Sequence, residues 1–164
     1  MAFEVFAVGV GRGELALAPV PGGAGDLRAD VEAISQWGAT MVVSATEAEE
    51  MQSLGAAQLP DLLKEAGIEW AHFPIRDFAV PESTVASQWA ALSQGIHQHL
   101  QAKGGVLVHC RGGCGRSGML VLRVMVEAGT AATDALVQLR AVRPCAVETD
   151  AQMGWATKGA LTQA

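Results

Sequence analysis

Along this chain the apolar positions alternate between short continuous runs, which suit buried strands, and runs spaced three and four apart, which suit one face of a helix. Residues 3–8 and 15–18 flank the glycine-rich turn Gly9-Val10-Gly11-Arg12-Gly13 and predict a β-hairpin, ended by Pro19, Pro21 and Gly22-Gly23. Asp26 is placed to cap a helix with Leu27, Val31 and Ile34 on one face and Gly38 as its stop. Met41-Val42-Val43 reads as a central strand. Thr46 with Glu49 three residues on has the capping-box pattern and opens a short helix to about Leu54. A further short helix runs from Pro60 to Ala66, and residues 68–73 are strand-like. A long helix over 82–101 comes next, then a strand over 106–109, a helix to Ala128, another over 131–142 and a last one after Thr149. Strands alternating with helices predict a single α/β domain over residues 1–164, with a mainly parallel central sheet flanked by helices. In that class ligands bind beyond the carboxyl ends of the strands.

Half of the 164 residues are hydrophobic, enough for one substantial core. Met1-Ala2-Phe3-Glu4-Val5 has no basic stretch before an apolar one, and no apolar run reaches the roughly 18 residues of a membrane span. A cytoplasmic protein is expected. Three cysteines, two of them in one loop, suggest no disulfide framework and a reducing compartment. A net charge of −6 argues against nucleic acid and anionic membrane surfaces as partners.

The chemistry concentrates in His109-Cys110-Arg111-Gly112-Gly113-Cys114-Gly115-Arg116-Ser117-Gly118. An apolar strand precedes it and a helical pattern follows, so the loop leads into a helix N-terminus. There, free backbone N–H groups and the helix dipole favour an anion. Gly112, Gly113 and Gly115 let the chain curl with its N–H groups inward, and Arg116 adds a planar fork suited to two phosphoryl oxygens. The same field favours a thiolate at Cys110. Arg111, Gly112, Gly113, Cys114, Gly115 and Arg116 thus form a candidate phosphate-binding loop, with Cys110 aimed into it.

At these residues the chain resembles the cysteine-dependent protein tyrosine phosphatase superfamily, whose loop reads His-Cys-x5-Arg-Ser/Thr-Gly. The resemblance implies a phosphate monoester hydrolase with a phosphocysteine intermediate, no metal and no cofactor. Asp77, in a proline-bracketed loop ending at Pro81, matches the Asp-x-x-x-Pro of small dual-specificity and kinase-associated-type members. It is the candidate donor of a proton to the leaving oxygen. Arg76 replaces the proline often found before it. By the same resemblance Ser117 donates to the sulfur, and Gln152 orients the hydrolytic water, although Thr149-x-x-Gln152 also fits a capping box. His109 is expected to order the loop through backbone contacts.

Cys114 reads as loop filling, with a disulfide to Cys110 as the other possibility. His97 and His99 read as solvated surface, His72 as a strand end, and Glu47, Glu49 and Glu50 as a solvated first turn. With Arg111 as the only basic residue between Cys110 and Arg116, a phosphorylated protein or small phosphate ester is the expected partner, protein phosphotyrosine first. A soluble inositol-phosphate phosphatase is one alternative. A thiol redox enzyme such as an arsenate reductase, with Cys114 and Cys145 as resolving thiols, is the other.

Overall fold

Strands β1 (Phe6–Val10), β2 (Gly13–Ala18), β3 (Ala39–Ser44), β4 (Glu69–His72) and β5 (Gly105–His109) form one sheet in the order β1-β2-β5-β3-β4. The structure is a computed structural model and describes residues 3–158. Met1, Ala2 and residues 159–164 of the expected 1–164 domain lie outside the described residues. β2, β5, β3 and β4 run parallel, and β1 joins β2 as the antiparallel arm of the expected hairpin. The result is a mixed sheet with β5 at its centre.

β5 is buried along its whole length because both faces of the sheet are covered. Its side chains alternate accordingly. Val106 and Val108 pack with Leu15, Leu17, Met41 and Val43 on one face, while Leu107 packs with Ala16, Ala18 and Val42 on the other. α1 (Leu27–Trp37) and α3 (Leu59–Glu65) supply apolar side chains to the second face. The first is covered by α5 (Trp89–Gln101), α6 (Gly115–Glu127), α7 (Ala132–Val142) and α8 (Asp150–Thr157). Burial of roughly 1.5–3 kcal/mol per large apolar side chain on both faces drives the assembly.

Local signals set several boundaries. Asp26 Oδ1 accepts the Ala29 N–H at 3.0 Å, and Gly38 ends α1 at φ 105°, a left-handed conformation that glycine adopts without steric cost. The long helix expected over 82–101 is instead two, α4 (Ser83–Ala86) and α5. At the break the Ser87 hydroxyl donates to the Thr84 carbonyl. Trp89 then opens α5 and turns into the core, edge-on to Phe73 and Trp155.

The capping box before α2 (Ala48–Ser53) lies one residue later than the Thr46–Glu49 pattern suggests. Glu47 is the cap, and its N–H donates to Glu50 Oε1 at 3.1 Å. Thr46 is fully buried, so it is unavailable as a solvent-side cap. The shift turns Glu50 inward.

His97 and His99 are also not plain surface residues. His97 Nε2 lies 3.2 Å from Glu127 Oε1, and His99 Nδ1 lies 2.8 Å from the Thr40 hydroxyl, with its Nε2 3.5 Å from Glu69. Both are half-buried because α5 packs against the sheet and α6 with that side inward. Glu127 collects donors from Trp89, Ser93, His97 and Arg123. Burial opposes its ionisation, but these hydrogen bonds outweigh burial and hold its pKa down at about 2.

Candidate active site

Cys110 follows β5 at the carboxyl edge of the sheet, and Gly115 opens α6, so the expected strand–loop–helix is formed. Gly113 shows why the loop needs glycine. It sits at φ 74°, and a Cβ there would lie 2.5 Å from the Ala18 carbonyl carbon and 2.6 Å from the Pro19 nitrogen. The loop curls against the end of β2, where the Val20 N–H donates to the Arg111 carbonyl at 3.1 Å.

A chain of hydrogen bonds fixes the cysteine from behind. His109 is fully buried, and burial drives its pKa down to about 4, with the Cys110 carbonyl pulling the other way and the Arg116 charge adding to the fall. The ring is therefore neutral at ordinary pH. Its Nδ1 lies 3.2 Å from the Cys110 carbonyl, which can only accept, so Nδ1 carries the proton. Nε2 then accepts from the Ser44 hydroxyl at 2.6 Å, and Ser44 in turn accepts from Trp70 Nε1 at 2.8 Å. Three residues on three adjacent strands thus orient one peptide group of the loop.

Cys110 Sγ is buried and lies 3.2 Å from the Ser117 hydroxyl in the first turn of α6. Arg116 is 1% exposed. It donates to Glu50 through two nitrogens, at 2.6 and 3.0 Å, and to the Ile75 carbonyl at 2.9 Å. Nη2 lies 3.3 Å from Asp77 Oδ1. Burial works against its charge, but the Glu50 hydrogen bonds and the charges of Cys110, Glu50 and Asp77 raise its pKa further. Burial likewise opposes ionisation of Glu50, yet the Arg116 guanidinium and the Glu47 N–H hold its carboxyl below the ordinary range. The Arg116 Nε–H has no acceptor among the described residues, although it is buried. A buried donor left unmet in this way is one that an anion bound nearby could satisfy.

Asp77 stands at the tip of a turn closed by the Ala79 N–H on the Arg76 carbonyl. Phe78, the next residue, adopts φ 63° and is 59% exposed. A left-handed conformation is costly for a bulky residue, on the order of 1–3 kcal/mol. A cavity of about 240 Å³ is lined by Asp77, Phe78, Cys110, Arg111, Arg116 and Glu148, together with Gly112, Gly115 and Cys114.

Gln152 is fully buried and does not line that cavity. Its Oε1 accepts the Glu148 and Thr149 N–H groups at 3.0 and 3.3 Å, completing the cap of α8. Its Nε2 donates to the Ala79 carbonyl in the Asp77 loop at 3.2 Å.

Two sequence expectations are corrected here. Cys114 is not filler: it forms a disulfide with Cys145, leaving Cys110 free. The bridge crosses 31 residues, so only the folded α6–α7–α8 arrangement brings the two sulfurs together. The same segment braces the loop through Arg143, which donates to the Gly113 and Gly112 carbonyls at 3.1 and 2.7 Å. The Val147 N–H donates to the Cys114 carbonyl. Glu50 is the second correction, an arginine partner rather than a solvated first-turn residue. A buried arginine demands a carboxylate, and Glu47-x-x-Glu50 was the signal for which one.

Among the described residues no helix is long and apolar enough to cross a membrane. A family model described as "Polymorphic toxin system, DSP-PTPase phosphatase" matches residues 17–130. Protein tyrosine phosphatase domain-containing protein 1 of Mus musculus is 32% identical over 103 residues, 62% of this chain and 13% of that protein. Its Danio rerio counterpart is 30% identical over 100 residues, 60% of this chain and 14% of that protein. The chain therefore matches only a small part of these relatives' length. Among solved structures, kinase associated phosphatase with its catalytic-site cysteine substituted by serine superposes with a TM-score of 0.84 at 19% identity, over 96% of this chain and 94% of that one. Tk-PTP in its active form gives 0.70 at 28% identity, over 90% and 91%.

Proposed function

Because the chain belongs to the DSP-PTPase phosphatase family of polymorphic toxin systems, cysteine-dependent hydrolases of the dual-specificity type, we propose that it hydrolyses protein phosphotyrosine through a phosphocysteine at Cys110. The observation that carries this is the meeting of Cys110 and Arg116 in one pocket at the N-terminus of α6, with the Ser117 hydroxyl 3.2 Å from the sulfur.

The Cys110 thiolate attacks phosphorus, the bond to the leaving oxygen breaks, and Asp77 supplies that oxygen's proton. Arg116 and the backbone N–H groups of residues 111–116 bind the three equatorial oxygens, where charge develops. A water then attacks phosphorus, Asp77 takes its proton, and the sulfur leaves with the Ser117 hydroxyl donating to it. Gln152 acts as a positioning residue, tying the cap of α8 to the Asp77 loop through the Ala79 carbonyl.

Phe78 favours an aryl ester. A strained backbone holds this exposed ring at the mouth of the pocket beside Asp77, where it can lie against the ring of a phosphotyrosine. The site of action we infer is cytoplasmic, from the expectation of a protein substrate, while the Cys114–Cys145 bridge favours an oxidising environment.

The test compares kcat/KM for phosphotyrosine peptides, phosphothreonine peptides and soluble inositol phosphates in wild type and Phe78→Ala. Phosphotyrosine is expected to lead by about tenfold or more, and Phe78→Ala to reduce that lead. An inositol phosphate preferred by orders of magnitude would overturn the substrate assignment.

A further inference from the structure

Beside the phosphate loop lies a second and larger cavity, of about 500 Å³, and Arg111 lines both it and the catalytic pocket. Phe3, Phe6, Val20 and Leu54 contribute apolar wall, while Glu4 and Asp30 contribute carboxylates. Asp30 is only 8% exposed. Its Oδ2 accepts the Gly22 N–H at 2.7 Å, and Oδ1 meets no donor among the described residues. That oxygen is left to accept from a donor within the cavity that Asp30 lines.

Two arginines share the lining, and one of them is engaged. Arg143 spends its donors on the Gly112 and Gly113 carbonyls and lies 4.2 Å over the Phe6 ring. Arg111 stands on the partition, within reach of a phosphate in the loop. With a phosphate in the loop drawing on Arg111, the charge left to the cavity is that of Glu4 and Asp30, in a chain that is acidic overall.

We propose that this cavity is a substrate subsite for a lysine or arginine side chain flanking the phosphorylated tyrosine. The alkyl stem lies along Phe3 and Leu54, and the cationic head reaches Asp30 and Glu4. This assignment rests on the phosphoprotein reading above and adds the sequence context that the site selects.

The test uses one phosphotyrosine peptide in which a single arginine is moved through the three positions on either side. Each version is compared by kcat/KM with the peptide carrying alanine there, and with one carrying glutamate. In wild type, arginine at one or two positions raises kcat/KM about tenfold. That ratio falls below about threefold in Asp30→Asn and takes an intermediate value in Glu4→Gln. Each ratio is taken within one protein, so partial loss of folded enzyme cancels, and Glu4→Gln leaves the Gly22 turn intact. A wild-type ratio near one, a preference for glutamate, or a tenfold ratio surviving in both variants overturns the proposal. Turnover of none of these peptides overturns the tyrosine phosphatase reading, and the subsite with it.

Discussion

Replacing Cys145 by serine opens the Cys114–Cys145 bridge without carving a core cavity, because Cys145 is exposed. With the two cysteines 31 positions apart, loop-closure entropy makes the bridge worth roughly 3.5–4 kcal/mol. Unfolding entropy of about 2.1 cal/mol/K per residue over 164 residues converts this to a fall in Tm of about 11 °C. The catalytic loop itself should hold. Arg143 still binds the Gly112 and Gly113 carbonyls, and Val147 still binds Cys114. Activity on an aryl phosphate well below Tm should thus change by no more than about twofold. Calorimetry of wild type and Cys145→Ser, each with and without a dithiol reductant, checks this. Wild type should lose the same Tm on reduction as the variant loses by substitution, and the reduced variant should lose nothing more. A wild-type Tm indifferent to reductant, or a further fall in the variant, would show that the bridge does not carry this stability.

Two further outcomes follow from the buried charges. Glu50→Gln removes the anion opposite Arg116, and breaking a buried ion pair costs about 3–5 kcal/mol at full burial. Because the Glu50 side chain is 21% exposed, a 10- to 100-fold fall in kcat/KM is expected, roughly 1.4–2.7 kcal/mol, with Glu50→Asp partly restoring activity. Steady-state kinetics with wild-type rates in Glu50→Gln would show that the pair is dispensable. Glu127, held at about pKa 2 against an ordinary 4.5, has its folded value depressed. It contributes roughly 3 kcal/mol above the unfolded pKa, and this is lost as pH falls from about 4.5 to about 2. Urea titration should find Glu127→Gln less stable than wild type near neutral pH, with the gap closing toward pH 2. A gap independent of pH would contradict the assignment.

What could be read from the sequence was local. The loop from His109 to Gly118 declares itself because strand, glycines, arginine and helix start are contiguous, and Asp26 and Gly38 bound α1 by short-range capping. Glu50 was misjudged because two overlapping capping patterns compete at Thr46 and Glu47, and only the burial of Thr46 decides between them. The Cys114–Cys145 bridge depends on how α7 and α8 return to α6, which no spacing rule supplies. His97 reads as solvated surface for the same reason: its partner, Glu127, lies 30 residues away on another helix. The larger cavity beside Arg111 joins the N-terminal segment, α1 and the phosphate loop, so it exists only in the folded chain.

The covalent step at Cys110 underlies every role assigned to the pocket. Wild type and Cys110→Ser are mixed with an aryl phosphate, quenched in acid within milliseconds, digested, and analysed by mass spectrometry for a phosphoryl group on the peptide containing Cys110. A phosphorylated Cys110 is expected in wild type, more of it in Asp77→Asn with a good leaving group, and neither adduct nor turnover in Cys110→Ser. Undiminished turnover in Cys110→Ser, or a phosphoryl group on another residue, would contradict it.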